Sequence, residues 1–209
     1  MRTWRDDEIV STLTTKISFV ETSQAARTWW RDNTSGRDRA ADRLRRLVLE
    51  GYLIALKLRV HPELQLERPI ISWQPGEVAP SFGPVSYRLR ARWSEPLRWV
   101  TAYAASKRTG RVFAGNGGGP SRPLQATHDL HVSAIYLRLL RESPGEARRW
   151  VSDNVLAPLR RGKKLPDAEL HDPEGRTLKV IEFGGNYPPE RVRKVHEDCE
   201  RRGLPYELW

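Results

Sequence analysis

The chain has 209 residues, 38% of them hydrophobic and 30% charged, with a formal net charge of +10. That balance allows a packed core and excludes a chain disordered throughout; no apolar run approaches a membrane span, and the single cysteine, Cys199, excludes an internal disulfide and a cysteine-rich zinc site. Lysine and arginine total 36 against 26 acidic residues, and arginine supplies most of the excess, which points to nucleic acid because guanidinium groups fork phosphate oxygens and stack on bases. The segment MRTWRDDEIV has no signal-peptide core, so a soluble, cytoplasmic protein is expected.

In chain order, DDEIVSTLTTKISFV predicts a first helix, with Ile9, Leu13 and Ile17 four apart on one face. ETSQAARTWW predicts a second, capped by Thr22 or Ser23, and RDNTSG a turn. The third helix runs through RDRAADRLRRLVLEGY, capped by Thr34 or Ser35 and stopped at Gly51. Ala40, Leu44, Leu47 and Val48 form its core stripe, while Arg39, Arg43 and Arg46 line another side, with Arg37 at its start. Asp42 is placed to hold Arg45 or Arg46. In the strand YLIALKLRV, Ile54, Leu56, Leu58 and Val60 share one face and Lys57 and Arg59 the other; PIISW reads as its hairpin partner. Three short helices followed by a hairpin make a winged helix-turn-helix, and Arg37, Arg39, Arg43, Arg46, Lys57 and Arg59 are its candidate contacts to double-stranded DNA.

VSYRLRARW is short and basic, and RWVTAYAASKRTGRVFAG holds a strand and a short helix. GNGGGPSRP lacks the Gly-Lys-Ser/Thr of a P-loop and reads as a linker. The expected division is therefore 1–114, a linker at 115–123, and 124–209. The last part reads as a helix (QATHDLHVSAIYLRLL), a strand or turn-containing segment (ARRWVSDNVL), strands LPDAEL and TLKVIEF, a helix (PERVRKVHEDCERR) and a final strand, LPYELW. Leu178, Val180 and Glu182 share one face of TLKVIEF, with Lys179 on the other; Asp167 and Glu169 share a face of LPDAEL. Asp167 and Glu182 can then meet across neighbouring strands and hold a magnesium or manganese ion. His128 and His131 lie three apart on one helix and are read as structural.

The helix, three strands, helix and strand, with Pro166-Asp167 on the second strand and Glu182 on the third, resemble the PD-(D/E)xK nuclease-like fold. The expected class is therefore α+β, with a mixed sheet in the second domain. That resemblance implies a lysine two residues beyond the glutamate, where Gly184 stands; Lys194 is the candidate substitute, giving Asp167, Glu182 and Lys194 as the catalytic set. Together, DRLRRLVLEGYL, HDLHVSAIYLRLL, LPDAEL and VIEFGG resemble the replication-relaxation proteins of plasmids and mobile elements. The family implies DNA binding in replication or element maintenance, alongside other proteins of the element, with a nuclease-like domain expected to be degenerate. Two alternatives stay open: an active Mg- or Mn-dependent endonuclease, and a winged-helix repressor whose second domain dimerises. LPYELW is the candidate edge strand for a homodimer.

Overall fold

The computed structural model describes residues 2–113, 115, 117–119 and 125–209, which divide into two compact units. Unit 1 comprises Met1–Glu63 and Pro96–Pro144, unit 2 Leu64–Glu95 and Gly145–Trp209. The described residues form nine α-helices, a three-stranded antiparallel sheet and a five-stranded mixed sheet, an α+β protein.

Unit 1 opens with helix α1 (Trp4–Thr15), started by a capping box in which Asp6 accepts the Thr3 amide at 2.6 Å. Ile9, Val10 and Leu13 bury its inner face. Strand β1 (Val20–Glu21) leads into α2 (Thr22–Trp29), whose cap is Glu21, paired reciprocally with Gln24, rather than Thr22 or Ser23. Helix α3 (Thr34–Leu49) is capped by Asn33, whose side chain accepts the Gly36 amide at 2.8 Å, rather than by Thr34 or Ser35. Gly36, Ala40, Leu44 and Leu47 are buried along it, and Gly51, at φ 81°, ends the turn that follows.

Strand β2 (Leu53–Val60) does not pair with PIISW. Its partner is β4 (Arg98–Ala105), antiparallel from Leu53 opposite Ala105 to Val60 opposite Arg98, and β1 pairs with the other edge of β4. Two strands of eight residues satisfy each other's backbone groups over their whole length, which the shorter PIISW could not do. The chain between them supplies unit 2 with β3 (Ile71–Trp73) and α4 (Phe82–Ala91).

After α5 (Lys107–Val112) comes α6 (Ala126–Glu142), which sequence reading placed in the second domain. It belongs to unit 1. The Gln24 side chain donates to the Leu130 carbonyl at 3.0 Å, Ser133 donates to the Phe19 carbonyl at 2.8 Å, and Ala126 and Leu130 share a core with Phe19, Val60 and Val100. The segment 115–123 therefore does not separate the two units. Its residues 116 and 120–123 lie outside the described residues. A Cβ at Gly115 would stand 2.3 Å from the Thr14 carbonyl oxygen, and one at Gly117 2.4 Å from that of Ser106. These glycines permit close backbone approach inside unit 1.

Unit 2 continues with α7 (Pro144–Arg149), β5 (Trp150–Ser152), α8 (Asp153–Leu156), a 3₁₀ turn (Ala157–Arg160), β6 (Ala168–His171), β7 (Thr177–Glu182), α9 (Pro189–Arg201) and β8 (Tyr206–Leu208). The sheet order is β3-β8-β7-β6-β5. Strands β5, β6 and β7 form an antiparallel meander, and α9 carries the chain over so that β8 lies parallel to β7. Strand β3 pairs antiparallel with β8, so LPYELW is an interior strand and has no free edge for pairing across a homodimer. Helices α4 and α9 cover one sheet face, where Val85, Leu89, Val192 and Val195 pack on Val180, Tyr206 and Leu208. Burying each such side chain contributes about 1.5–3 kcal/mol.

Candidate nucleic-acid interface and carboxylate site

The buried stripe of α3 fixes which arginines face water. Arg37, Arg39, Arg45 and Arg46 are exposed, with Arg37 held by Asp32 at 2.8 Å and Arg45 by Asp42 at 2.5 Å. Arg43 is different. Its Nε and Nη2 donate to the two oxygens of Asp6 at 2.7 and 2.8 Å, and Asp6 is fully buried. Burial pushes the Asp6 carboxyl up, but Arg43 and Thr3 more than offset it and bring it down to about 2. Arg43 thus ties α3 to α1 and is not among the outward-facing arginines. Helical spacing alone could not show this, because Arg43 lies at the border between the buried and exposed faces.

On β2, alternation sorts the faces as the sequence predicts. Lys57 and Arg59 are exposed, and opposite them on β4 stand Thr101 and Trp99. The Lys57 ammonium donates to Thr101 at 2.9 Å, and Trp99 is 69% exposed, far more than an indole whose role is packing. Sequence reading passed over Trp99 because it lacked the strand pairing. Near the start of α3, a cleft of about 560 Å³ is lined by Arg5, Arg31 and Arg39 with Trp29 and Trp30 and, among the described residues, by no carboxylate; Arg5 lies 4.8 Å from the Trp30 ring centre.

In unit 2, Ala168 stands opposite Ile181, so Asp167 and Glu182 occupy the next rung of the β6–β7 ladder. Asp167 Oδ2 accepts the Phe183 amide at 2.6 Å. Glu182 is 3% exposed, and its Oε1 accepts from Lys164 Nζ and from the Tyr187 hydroxyl, both at 2.8 Å. Burial, reinforced by the charge of Asp167, raises the Glu182 carboxyl above its ordinary range despite those donors. Burial and the same two carboxylates also push the Tyr187 phenol upward. The lysine beside the glutamate is therefore Lys164, from the loop ahead of β6, and not Lys194, which is exposed on α9. Lys179 bonds Glu207 and Glu146 at 2.8 and 3.3 Å on the other side of β7.

Gly184 has a steric reason to be glycine. A Cβ there would stand 2.4 and 2.9 Å from the methyl carbons of buried Leu89, so no lysine fits at that position. The sequence offered a weak signal for the replacement: two lysines, Lys163 and Lys164, just ahead of Pro166-Asp167.

Glu169 lies in a separate buried network. It accepts from Arg202 at 2.5 Å, Thr177 at 2.8 Å and His171 at 2.9 Å, with Arg160 at 3.6 Å. Burial would raise its carboxyl, but these partners hold it below its ordinary value. Arg160 and Arg202 also reach Asp198, at 3.3 and 3.5 Å. Above this network opens a cleft of about 950 Å³, lined by the cations Arg160, Lys163, Lys164, Arg191, Lys194, Arg201 and Arg202 and the acids Glu190, Glu197 and Asp198. Asp167 and Glu182 do not line it; Lys164 does.

No family model, curated protein or solved structure matches the chain.

The carboxylates do not fit a divalent ion as arranged. Magnesium requires near-octahedral oxygen ligation, whereas Glu182 Oε1 already accepts two donors, one an ammonium that neutralises it. Glu182 Oε2 is buried without a hydrogen-bond partner among the described residues, consistent with the raised carboxyl. No group of three or more His, Cys, Asp or Glu among the described residues is placed to hold a metal. His131 is fully buried, its Nδ1 2.6 Å from the Thr127 carbonyl oxygen, and His128 lies 3.5 Å from Asp129.

Proposed function

We propose that this is a DNA-binding protein whose unit 1 is a winged helix and whose unit 2 is a PD-(D/E)xK-like domain retained without cleavage activity. Within unit 1 the order α1, β1, α2, α3, β2, β4, with β2 and β4 paired antiparallel across an insertion that carries β3 and α4 into unit 2, supports the first assignment. A meander followed by a helical crossover to a parallel strand supports the second, although the only helix directly ahead of the meander in unit 2 is the short α7. The observation that carries the reading is the outward set of Arg39 and Arg46 on α3 and Lys57, Arg59 and Trp99 on the β2–β4 pair, presented by elements whose opposite faces are buried. Such a set contacts phosphates electrostatically and stacks or packs against the backbone and groove. A place in plasmid or mobile-element maintenance follows from the family resemblance.

Burial of Glu182, 3% exposed, and the lack of a third carboxylate or imidazole beside it among the described residues support loss of cleavage; Lys164 supplies the cation that Gly184 lacks and does not itself argue for that loss. The test is binding of a duplex by the unsubstituted chain and by Arg39→Glu/Arg46→Glu, alongside incubation of supercoiled DNA with Mg²⁺ or Mn²⁺. The reading expects at least tenfold weaker binding by the double variant, unchanged folding, and intact DNA. Wild-type affinity in that variant overturns the interface; nicking lost in Glu182→Ala overturns the non-catalytic assignment.

A further inference from the structure

We infer that the basic cleft of unit 2 is a second, sequence-independent binding site for the DNA phosphodiester backbone. The inference extends the DNA-binding reading to unit 2 and does not depend on α3.

The cleft, about 950 Å³, is large enough for more than one phosphate group, and its lining holds seven cationic side chains against three carboxylates. The cations outnumber those carboxylates by four, which leaves the lining net positive. Asp198 is paired with Arg160, Arg201 and Arg202, and buried Glu169 with Arg160 and Arg202, which fixes the guanidinium groups of Arg160 and Arg202. Arg160 and Arg202 are only 12% and 20% exposed, so their positions are set by packing before any ligand arrives. Preformed guanidinium groups suit phosphate oxygens, which accept two parallel N–H bonds from one fork. Lys163 and Lys194 stand exposed at the same cleft and supply mobile charge.

The character of the rest of the lining selects the ligand. Among the described residues no aromatic ring lines the cleft, so they offer no platform for stacking a base. Its apolar lining is limited to Leu165 and Pro188, which is too little for the charge-depleted centre of a protein–protein interface. A repeating anion recognised through its phosphates is the chemistry left. Lys164 links this cleft to the carboxylate site. Lys164 lines the cleft and its ammonium donates to Glu182, while Asp167 and Glu182 do not line it.

The experiment uses the full chain, a short fluorescent duplex and anisotropy titrations from 50 to 200 mM salt. Four proteins are compared: unsubstituted, Lys163→Ala/Lys194→Ala, Arg39→Glu/Arg46→Glu, and all four substitutions combined. Each phosphate contact contributes about 0.9 to the slope of log K against log salt, so the cleft variant should lose about two from the slope, roughly a tenfold smaller loss of affinity over that range. Arg39→Glu/Arg46→Glu should keep a weak, salt-sensitive residue of binding that the combined variant lacks. An unchanged slope in the cleft variant, with no residual binding in the α3 variant, overturns the inference and leaves the winged-helix reading standing. Full binding by the α3 variant that disappears in the combined protein overturns that reading and leaves the cleft. Absence of duplex binding by the unsubstituted chain overturns both.

Discussion

Replacing Arg43 with alanine separates a structural arginine from the DNA-facing ones. The substitution removes both hydrogen bonds to Asp6, at 2.7 and 2.8 Å, and leaves a fully buried carboxylate with Thr3 as its remaining partner. Breaking a buried pair from one side costs about 3–5 kcal/mol, and the 19% exposure of the Arg43 side chain places the cost near the lower end, about 3 kcal/mol. For a chain of this size that corresponds to a fall in Tm of about 6–12 °C. The pH dependence follows from Asp6, whose carboxyl is held down at about 2. Its contribution is fully present above the unfolded value of about 3.9 and is lost as pH falls through the folded value. The stability gap between the two proteins should therefore be full at pH 7 and close between about pH 4 and pH 2. Thermal and urea unfolding followed by circular dichroism measure both effects. An unchanged Tm together with a shallower salt dependence of DNA binding would refute the assignment and return Arg43 to the interface.

Three further outcomes follow from unit 2. Gly184→Ala should cost about 1–3 kcal/mol by forcing a Cβ against Leu89, and Gly184→Lys should destabilise rather than create activity; a urea midpoint equal to that of the unsubstituted chain would contradict the packing. Glu182→Gln removes a buried carboxylate whose pKa is raised, a group that stabilises less as pH climbs above its unfolded value. The variant should match the parent near pH 4 and gain on it as pH rises to 8 in urea unfolding; a deficit that grows with pH would count against the raised carboxyl. Lys164→Ala leaves Glu182 buried without its cation and should lower stability by about 3 kcal/mol at pH 8, an effect largely relieved in Lys164→Ala/Glu182→Gln. Additive losses in that pair of substitutions would show that the two groups do not interact.

The helices of unit 1 were legible because their apolar positions recur at helical spacing, and Ile9, Leu13, Ala40, Leu44 and Leu47 are all buried. The alternation of TLKVIEF likewise put Val180 and Glu182 on one face and Lys179 on the other. Strand pairing was not legible. PIISW and RWVTAYAA are both acceptable strands, and local pattern does not say that the nearer one joins the other sheet while the farther one pairs with β2. The same non-local choice placed LPYELW inside the sheet and α6 in unit 1. At the carboxylate site, Asp167 and Glu182 followed from parity. Lys164 did not, because it reaches Glu182 from a loop that has no period. Helical spacing puts Arg43 with the DNA-facing arginines, because its partner, Asp6, lies on α1, thirty-seven positions earlier.

The most direct test of duplex recognition is the salt dependence of binding by the unsubstituted protein. Arg39, Arg46, Lys57 and Arg59 face outward from unit 1, so log K should fall linearly with log salt with a slope of about −3 or steeper. A slope between zero and about −1, or no measurable affinity for a duplex at 50 mM salt, would contradict phosphate contact by those side chains.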